Sequence, residues 1–401
     1  MKTPSKAAQL RPPPATTWES FRLSDKFNIR YGRANPGGSG NVPVVGSSGV
    51  FGWTSQPLVN YPTIVIGRKG TAGKPWLIKG PSYPSDTTFF LEPREGQHVD
   101  LEFLFFALSH LQPDASDDVI PSLQRHHLEA LTLPLPSPEE QSTIASILCK
   151  IRAATEKQKR ITATLRELRE AMMASLFAKR ASKRTGSDTP AQYDPATWKM
   201  TCLGKVAKIA RGKFSHRPRN EPRFYGGKIP FIQTGDVARS NGRIRSYSQT
   251  LNESGLAISK LFPKGTIVLT IAANIGETGI LEFDSAFPDS LVGITPDETV
   301  DPVFLEYYLR TQKAEMNRLA PKGTQKNINL QFLMPWPVPL PPPADQKRIA
   351  RDLRLIDNRL EFSMEKARLL EVLFQSTLEF LMTAPIRILG GSLTAMAPVE
   401  K

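Results

Sequence analysis

The side chains with the most chemical character in this chain are cations set among amides and hydroxyls. From Lys199 to Lys228 there are nine Lys or Arg against one acid, Glu221. From Thr54 to Ser85 there is no acid, and Arg68, Lys69, Lys74 and Lys79 stand there. A third acid-free stretch, 316–344, holds Arg318, Lys322 and Lys326. Lys and Arg anchor phosphates by charge, whereas short polar side chains make directional hydrogen bonds to base edges. On that chemistry Arg68, Lys69, Lys74, Arg211, Lys213, Arg217, Arg219, Lys322 and Lys326 are candidate phosphate contacts. Candidate base readers are Ser47 and Ser48 in VVGSSGVFG, Gln233, Thr234 and Asp236 in FIQTGDV, and Asn274 in TIAANIG. Each of these alone is an ordinary turn residue. The enrichment of the whole set is the signal.

Catalytic chemistry leaves no comparable trace. GRKGTAGKP (67–75) resembles a phosphate loop, but a Walker loop needs four residues between its glycines, followed by Lys and Ser or Thr. Here five residues intervene and Pro75 follows Lys74. Neither a methyl-donor glycine loop nor an Asn/Asp-Pro-Pro-aromatic motif is present. His126 and His127 are adjacent and are expected to point apart, and Asp117 and Asp118 read as a solvated loop. Cys149 and Cys202 are the only cysteines, too few for a disulfide framework or a thiolate cluster. No catalytic residue and no metal ligand set is assigned.

The elements that must carry the cationic loops are legible too. The chain has 401 residues, 40 % of them apolar, with a net charge of +14. That is ample for folding into about two or three domains, and the charge favours a polyanionic partner. No apolar run approaches the ~18–20 residues of a membrane span. The opening MKTPSKAAQLRPPPATTW lacks the apolar core of a secretory signal, so a cytoplasmic protein is expected.

The chain repeats itself. Residues 134–176 align without a gap on 339–381, with 13 of 43 pairs identical. Trp18, Leu23 and Ile29 match Trp198, Leu203 and Ile209; TIVIGRKGTAG matches TIVLTIAANIG; Asp100, Phe103, Leu104 and Leu108 match Asp301, Phe304, Leu305 and Leu309. The second copy carries about 16 extra residues between Pro230 and Thr266. The order is therefore globule, helix, globule, helix. TIVIG and TIVLTIA read as buried strands, and DLEFLFFALSHL and DPVFLEYYLRTQ as helices capped by their Asp.

Each copy ends in a long helix that starts after prolines. Steps of four and three mark an apolar seam through Ile144, Leu148, Ile151 and Leu165 in one copy, and Ile349, Leu353, Ile356, Leu360, Leu370 and Phe374 in the other. Thr155, Gln158 and Thr162 interrupt the first seam and leave its register open. Some 37 residues make a rod of roughly 55 Å, and its apolar stripe needs a partner; the duplicate helix is the obvious one. The alternative is two helices that each pack only on their own globule.

YGGKIPFIQTGDV, PKGTIVLTIAANIG and VPLPPPADQKRIARDL, with VPVVGSSGVFGW and TIVIGRKGTAGK in the first copy, resemble the specificity subunits of type I restriction–modification enzymes. The resemblance runs from about Trp18 to Met382. It implies an α+β fold: two tandem mixed α/β target-recognition domains separated by an antiparallel two-helix coiled coil, with a pseudo-two-fold repeat. The implied division is a tail at 1–17, recognition domain 1 at 18–136, spacer helix 1 at 137–180, a linker at 181–193, recognition domain 2 at 194–343, spacer helix 2 at 344–384 and a tail at 385–401. It further implies recognition of a bipartite, asymmetric site on double-stranded DNA, by a non-catalytic chain that scaffolds two modification subunits and the restriction subunits. S-adenosylmethionine, ATP and Mg would then sit on those partners and not on this chain. The rival expectation is a free-standing, duplicated DNA-binding regulator without a methyltransferase partner.

Overall fold

The computed structural model describes residues 18–111, 122–177, 198–216, 220–272, 274–321, 327–383, 386–389 and 392–395. Contacts divide the chain into two units, Met1–Arg160 with Met364–Lys401, and Ile161–Ser363. The boundary falls inside both long helices, Pro138–Phe177 and Pro343–Thr383, so each helix gives one half to either unit. The linker expected at 181–193 lies outside the described residues.

In the first unit the strands Phe27–Tyr31, Thr88–Pro93, Thr63–Gly67 and Pro75–Ile78 form an antiparallel sheet in that order. TIVIG is its buried inner strand, as its β-branched run requires. Its side chains alternate: Ile64 and Ile66 enter the main core with Phe103 and Leu104, whereas Val65 faces a second cluster with Val45, Val59 and Phe90. A second sheet runs Gly49–Thr54, Val42–Gly46, Tyr83–Pro84. The helix Leu101–Leu111 starts where Asp100 accepts the Phe103 N–H at 2.9 Å.

The second unit repeats the plan. Ala207–Arg211, Leu291–Pro296 and Ile267–Thr270 reproduce the first three strands, and Thr278–Leu281 the fourth. The inserted residues add a fifth strand, Gly242–Ile244, parallel to its neighbour, and much of a separate four-stranded sheet. Asp301 caps Pro302–Thr311 through the Val303 and Phe304 N–H groups at 2.8 and 3.0 Å.

The repeated PLPxPxxQ block has a shared structural job. In one copy Glu19–Arg22 pairs with Thr132–Leu135, in the other Lys199–Cys202 pairs with Pro337–Leu340. One turn into each long helix, a buried Gln latches the helix to its globule. Gln141 donates to the Pro136 carbonyl at 2.8 Å and accepts the Asp100 N–H at 2.9 Å. Gln346 donates to Pro341 at 2.9 Å and to Thr299 at 3.3 Å, and accepts the Asp301 N–H at 2.8 Å.

The helices pair antiparallel within each unit. In the first, Ile144 and Leu148 share a core with Leu378, Leu381 and Met382. In the second, Met173 and Leu176 share one with Ile349 and Leu353. The polar interruptions of the seam stay inside it: Thr155, Gln158 and Thr162 are all buried. Thr162 and Ser363 share a 2.8 Å hydroxyl hydrogen bond, and Thr155 bonds back to the Ile151 carbonyl at 3.0 Å. Two hydroxyls and an amide thus stand where the seam would otherwise carry apolar side chains. Ile151, Leu165, Ile356, Leu370 and Phe374 are half-buried. Near the helix ends Met173, Leu176, Leu378, Leu381 and Met382 are buried.

Two expectations are corrected. The rings of His126 and His127 lie edge to face with centroids 4.1 Å apart, because on the short helix Arg125–Glu129 both exposed side chains are free to rotate together. Within the expected tail, Ile386–Leu389 and Ser392–Ala395 pair as an antiparallel hairpin. Asp117 and Asp118 lie outside the described residues.

Candidate nucleic-acid interface

In the first unit the cationic loop GRKGTAGKP joins the strands Thr63–Gly67 and Pro75–Ile78. It closes through Gly67 N–H to the Lys74 carbonyl at 3.0 Å and Gly73 N–H to the Gly67 carbonyl at 2.9 Å. A side chain at Gly67 would collide with the Thr71 carbonyl, so the turn needs glycine there. Lys69 and Lys74 are exposed on it. The Lys74 ammonium lies 4.5 Å over the Trp76 ring and the Arg68 guanidinium 5.3 Å over Tyr31. Both stacks hold a cation in place without cancelling its charge. Arg68 also donates to the Asp86 carbonyl at 3.2 Å.

Not every cation is available. Lys79 is ion-paired with Glu102, which also accepts the Cys149 thiol at 3.3 Å. The hydrogen bond from Lys79 holds the Glu102 carboxyl below its usual range, while burial pushes the Cys149 thiol up to about 11.

Two candidate base readers are corrected. Ser47 is buried and its hydroxyl donates to the Thr87 carbonyl at 3.0 Å, so it braces the hairpin. Asp236 is also buried; it accepts the Gln233 N–H at 2.9 Å, the Ser248 hydroxyl at 3.0 Å and the Arg239 guanidinium at 2.8 Å. A carboxylate so fully engaged at a helix start is structural. Ser48 and Asn274 are exposed and Thr234 is half-buried. The Gln233 amide donates to Gln249 at 2.9 Å, which presents two amides side by side. Arg211 and Lys213 are exposed on one loop, with Arg211 donating to the Asp289 carbonyl at 2.6 Å. Arg217, Arg219, Lys322 and Lys326 lie outside the described residues.

Sequence reasoning missed a buried charge network in the second unit. Glu306 is fully buried, with Arg310 donating from Nε at 3.0 Å and from a terminal nitrogen at 2.8 Å, and Thr278 at 2.8 Å. Burial pushes its carboxyl above the usual range, against the pull of Arg310. Asp357, on the second long helix, accepts the Tyr307 hydroxyl at 2.6 Å and lies 3.4 Å from Arg169 on the first. Asp357, with Arg169 on one side and Tyr307 and Arg310 on the other, thus ties the globule of the second unit to both helices. Only the fold brings Arg169, Glu306, Arg310 and Asp357 together.

Among the described residues no group of His, Cys, Asp and Glu is placed to hold a metal ion, and no helix is long and apolar enough to cross a membrane.

The model of the type I restriction modification DNA specificity domain matches twice, over residues 15–166 and 195–372. The chain is 27 % identical over 271 residues to the MjaX type I restriction enzyme specificity subunit of Methanocaldococcus jannaschii, covering 67 % of this chain and 62 % of that one. This alignment spans less than two-thirds of the relative's length. It is also 27 % identical over 323 residues to the MjaVIII specificity subunit of the same organism, covering 76 % of this chain and 74 % of the relative. In fold it is similar to the S subunit of a type I restriction–modification system from M. genitalium, with a TM-score of 0.65 at 16 % identity over 93 % of this chain and 98 % of the other. A chain from a type I system complex matches with a TM-score of 0.52 at 18 % identity, over 94 % and 100 %.

Proposed function

The chain belongs to the type I restriction–modification DNA specificity family, and from that premise we propose that it is the sequence-reading subunit of a multisubunit DNA methyltransferase and endonuclease. Each unit reads one half of a bipartite, asymmetric site on double-stranded DNA. Cations such as Lys69, Lys74, Arg211 and Lys213 supply affinity by releasing counterions from phosphates. Base-edge contacts then discriminate by ~1–3 kcal/mol per good bidentate pair. Methyl transfer belongs to two modification subunits that bind S-adenosylmethionine and flip the target base out of the stack. Restriction subunits bring ATP and Mg.

The observation that carries this reading is the duplicated joint. Both copies fix the start of a long helix to a globule with the same strand pair and the same buried Gln. Two like joints holding two globules with unlike loops suit two different half-sites. Exposed apolar side chains on the second long helix support attachment of partner subunits: Leu369, Val372, Leu373 and Phe380 in the first unit, Leu355 and Phe362 in the second.

The test is a domain exchange. Replacing residues 18–136 with the counterpart from a relative, co-expressed with the neighbouring genes, should change one half of the methylated site and leave the other intact. A change in both halves, or methylation without the partner subunits, would refute it.

A further inference from the structure

From Lys26 to Ser85 the sequence carries seven Lys or Arg and no acid. In the middle of that stretch, Val50, Phe51 and Trp53 stand 51 %, 57 % and 54 % exposed. They lie on Gly49–Thr54, an edge strand of its sheet. The register shifts there: Val45 faces Val50 and Val44 faces Gly52, so Phe51 is an extra, bulged residue. A bulge re-aims side chains, and this one turns Phe51 outward beside Val50. Three large apolar side chains within four residues of an edge strand cost solubility and invite strand pairing unless something covers them.

The surroundings identify what does. Gly49, at a φ of 109°, rests against Trp76, where a Cβ would stand 3.1 Å from the ring, and Lys74 lies over that same indole. The Trp76 indole N–H donates to the Ser47 carbonyl at 3.1 Å. One tryptophan therefore supports both the apolar strand and a cation, and Lys69 stands exposed on the same loop as Lys74. An apolar strip with a cationic border fits a polyanion that carries apolar groups inward of its charges. Duplex DNA has that layout, with thymine 5-methyl groups in a major groove that admits a two-stranded ribbon. Phe51 leans on its own hairpin, since a Cβ on Gly46 would stand 3.1 Å from the ring. It therefore offers a flat face to the groove instead of a wedge projecting between base pairs.

We infer that Val50, Phe51 and Trp53 read the half-site of the first unit by apolar contact with thymine methyl groups. This rests on the DNA-binding reading and adds to it a mode of recognition that does not depend on salt. The second unit differs, with a Gln233–Gln249 amide pair between a helix start and the first residue of a strand.

The experiment titrates the full-length chain against duplexes carrying its mapped methylation site, with thymines of the first half-site replaced one at a time by uracil. Uracil keeps the hydrogen bonds and loses only the methyl. Each methyl in contact should be worth about fourfold in affinity to the wild type. The F51S/W53S variant should bind about tenfold or more weakly, lose its response to uracil, and keep the wild-type dependence on salt. W53S alone, which spares the Phe51 contact with the hairpin, should lose part of the response. K74Q should do the reverse, lowering the salt dependence while keeping the response. Equal uracil response in wild type and F51S/W53S, or a first half-site without thymine, overturns the inference but leaves the DNA-binding reading intact. A wild-type self-association abolished by F51S/W53S would assign the strand to a second copy and overturn it as well. If the wild type binds no duplex at all, both readings fall together.

Discussion

Replacing Gln346 with Ala is expected to destabilise the second unit through two polar groups left without partners where helix meets globule. Gln346 is 1 % exposed and bonds to the Asp301 N–H at 2.8 Å, the Pro341 carbonyl at 2.9 Å and the Thr299 carbonyl at 3.3 Å. Ala removes all three partners and gives none back. Each orphaned group costs about 1–3 kcal/mol; with the longer Thr299 contact discounted, the loss is roughly 2–6 kcal/mol. For a unit of this size each kcal/mol moves the transition by about 2–4 °C, so the melting temperature should fall by roughly 4–24 °C. Calorimetry of the full chain, repeated by urea unfolding, measures it. The Gln346→Glu variant makes the argument sharper. A carboxylate still accepts the Asp301 N–H but faces two carbonyls that need a donor, so its folded pKa rises above the unfolded ~4.3. Between those two values the folded state binds more protons, so this variant gains stability as pH falls through the window, relative to wild type. If Gln346→Ala melts within about 1 °C of wild type, or Gln346→Glu shows no such gain on acidification, the latch is not what holds helix to globule.

The mid-helix hydroxyl pair should behave non-additively. Thr162→Val or Ser363→Ala alone should cost about 1 kcal/mol, whereas Thr162→Val with Ser363→Ala should cost less than the sum of the two in chemical denaturation, since neither hydroxyl is then left facing a lost partner. Removing Lys69 and Lys74 together should weaken DNA binding evenly across sequences and lower the slope of log K against log salt by up to about 1.8. An unchanged slope would place both lysines off the phosphates. The Cys149 thiol, pushed up to about 11, should react with a thiol reagent at pH 8 roughly 100-fold more slowly than an ordinary cysteine. Because its folded pKa is raised, Cys149 favours folding fully below the unfolded value. That stability is lost as pH rises toward about 11, which mass-resolved labelling against pH and alkaline melting should both record.

Much of the architecture could be read from the residues in order. The duplication, the proline-led helices, the buried TIVIG and TIVLTIA strands and the Asp caps are local patterns of one or two turns, and local sterics decide them. The seam was legible because its residues repeat at helical spacing in both copies, and its antiparallel sense came from the family resemblance. Thr155, Gln158 and Thr162 looked like a break, since a one-dimensional pattern counts methyls and cannot show that Thr162 meets the Ser363 hydroxyl or that Thr155 bonds back to its own helix.

The candidate interface was legible as a charge and not as a set of contacts. Ser47 and Asp236 have the right chemistry for base readers, but the fold turns both inward and occupies their hydrogen bonds. Lys79 has the right charge, but Glu102 neutralises it from a helix 23 residues away. Phe51 and Trp53 carry no mark of exposure in the sequence; one unpaired residue in a strand register leaves Phe51 bulged, and both stand in solvent. The division follows from what each property depends on. Helix, strand and cap are decided by neighbours along the chain, and net charge by a sum that ignores position. Which side chain is free to meet a partner depends on groups brought together from distant parts of the chain, and only tertiary packing decides that.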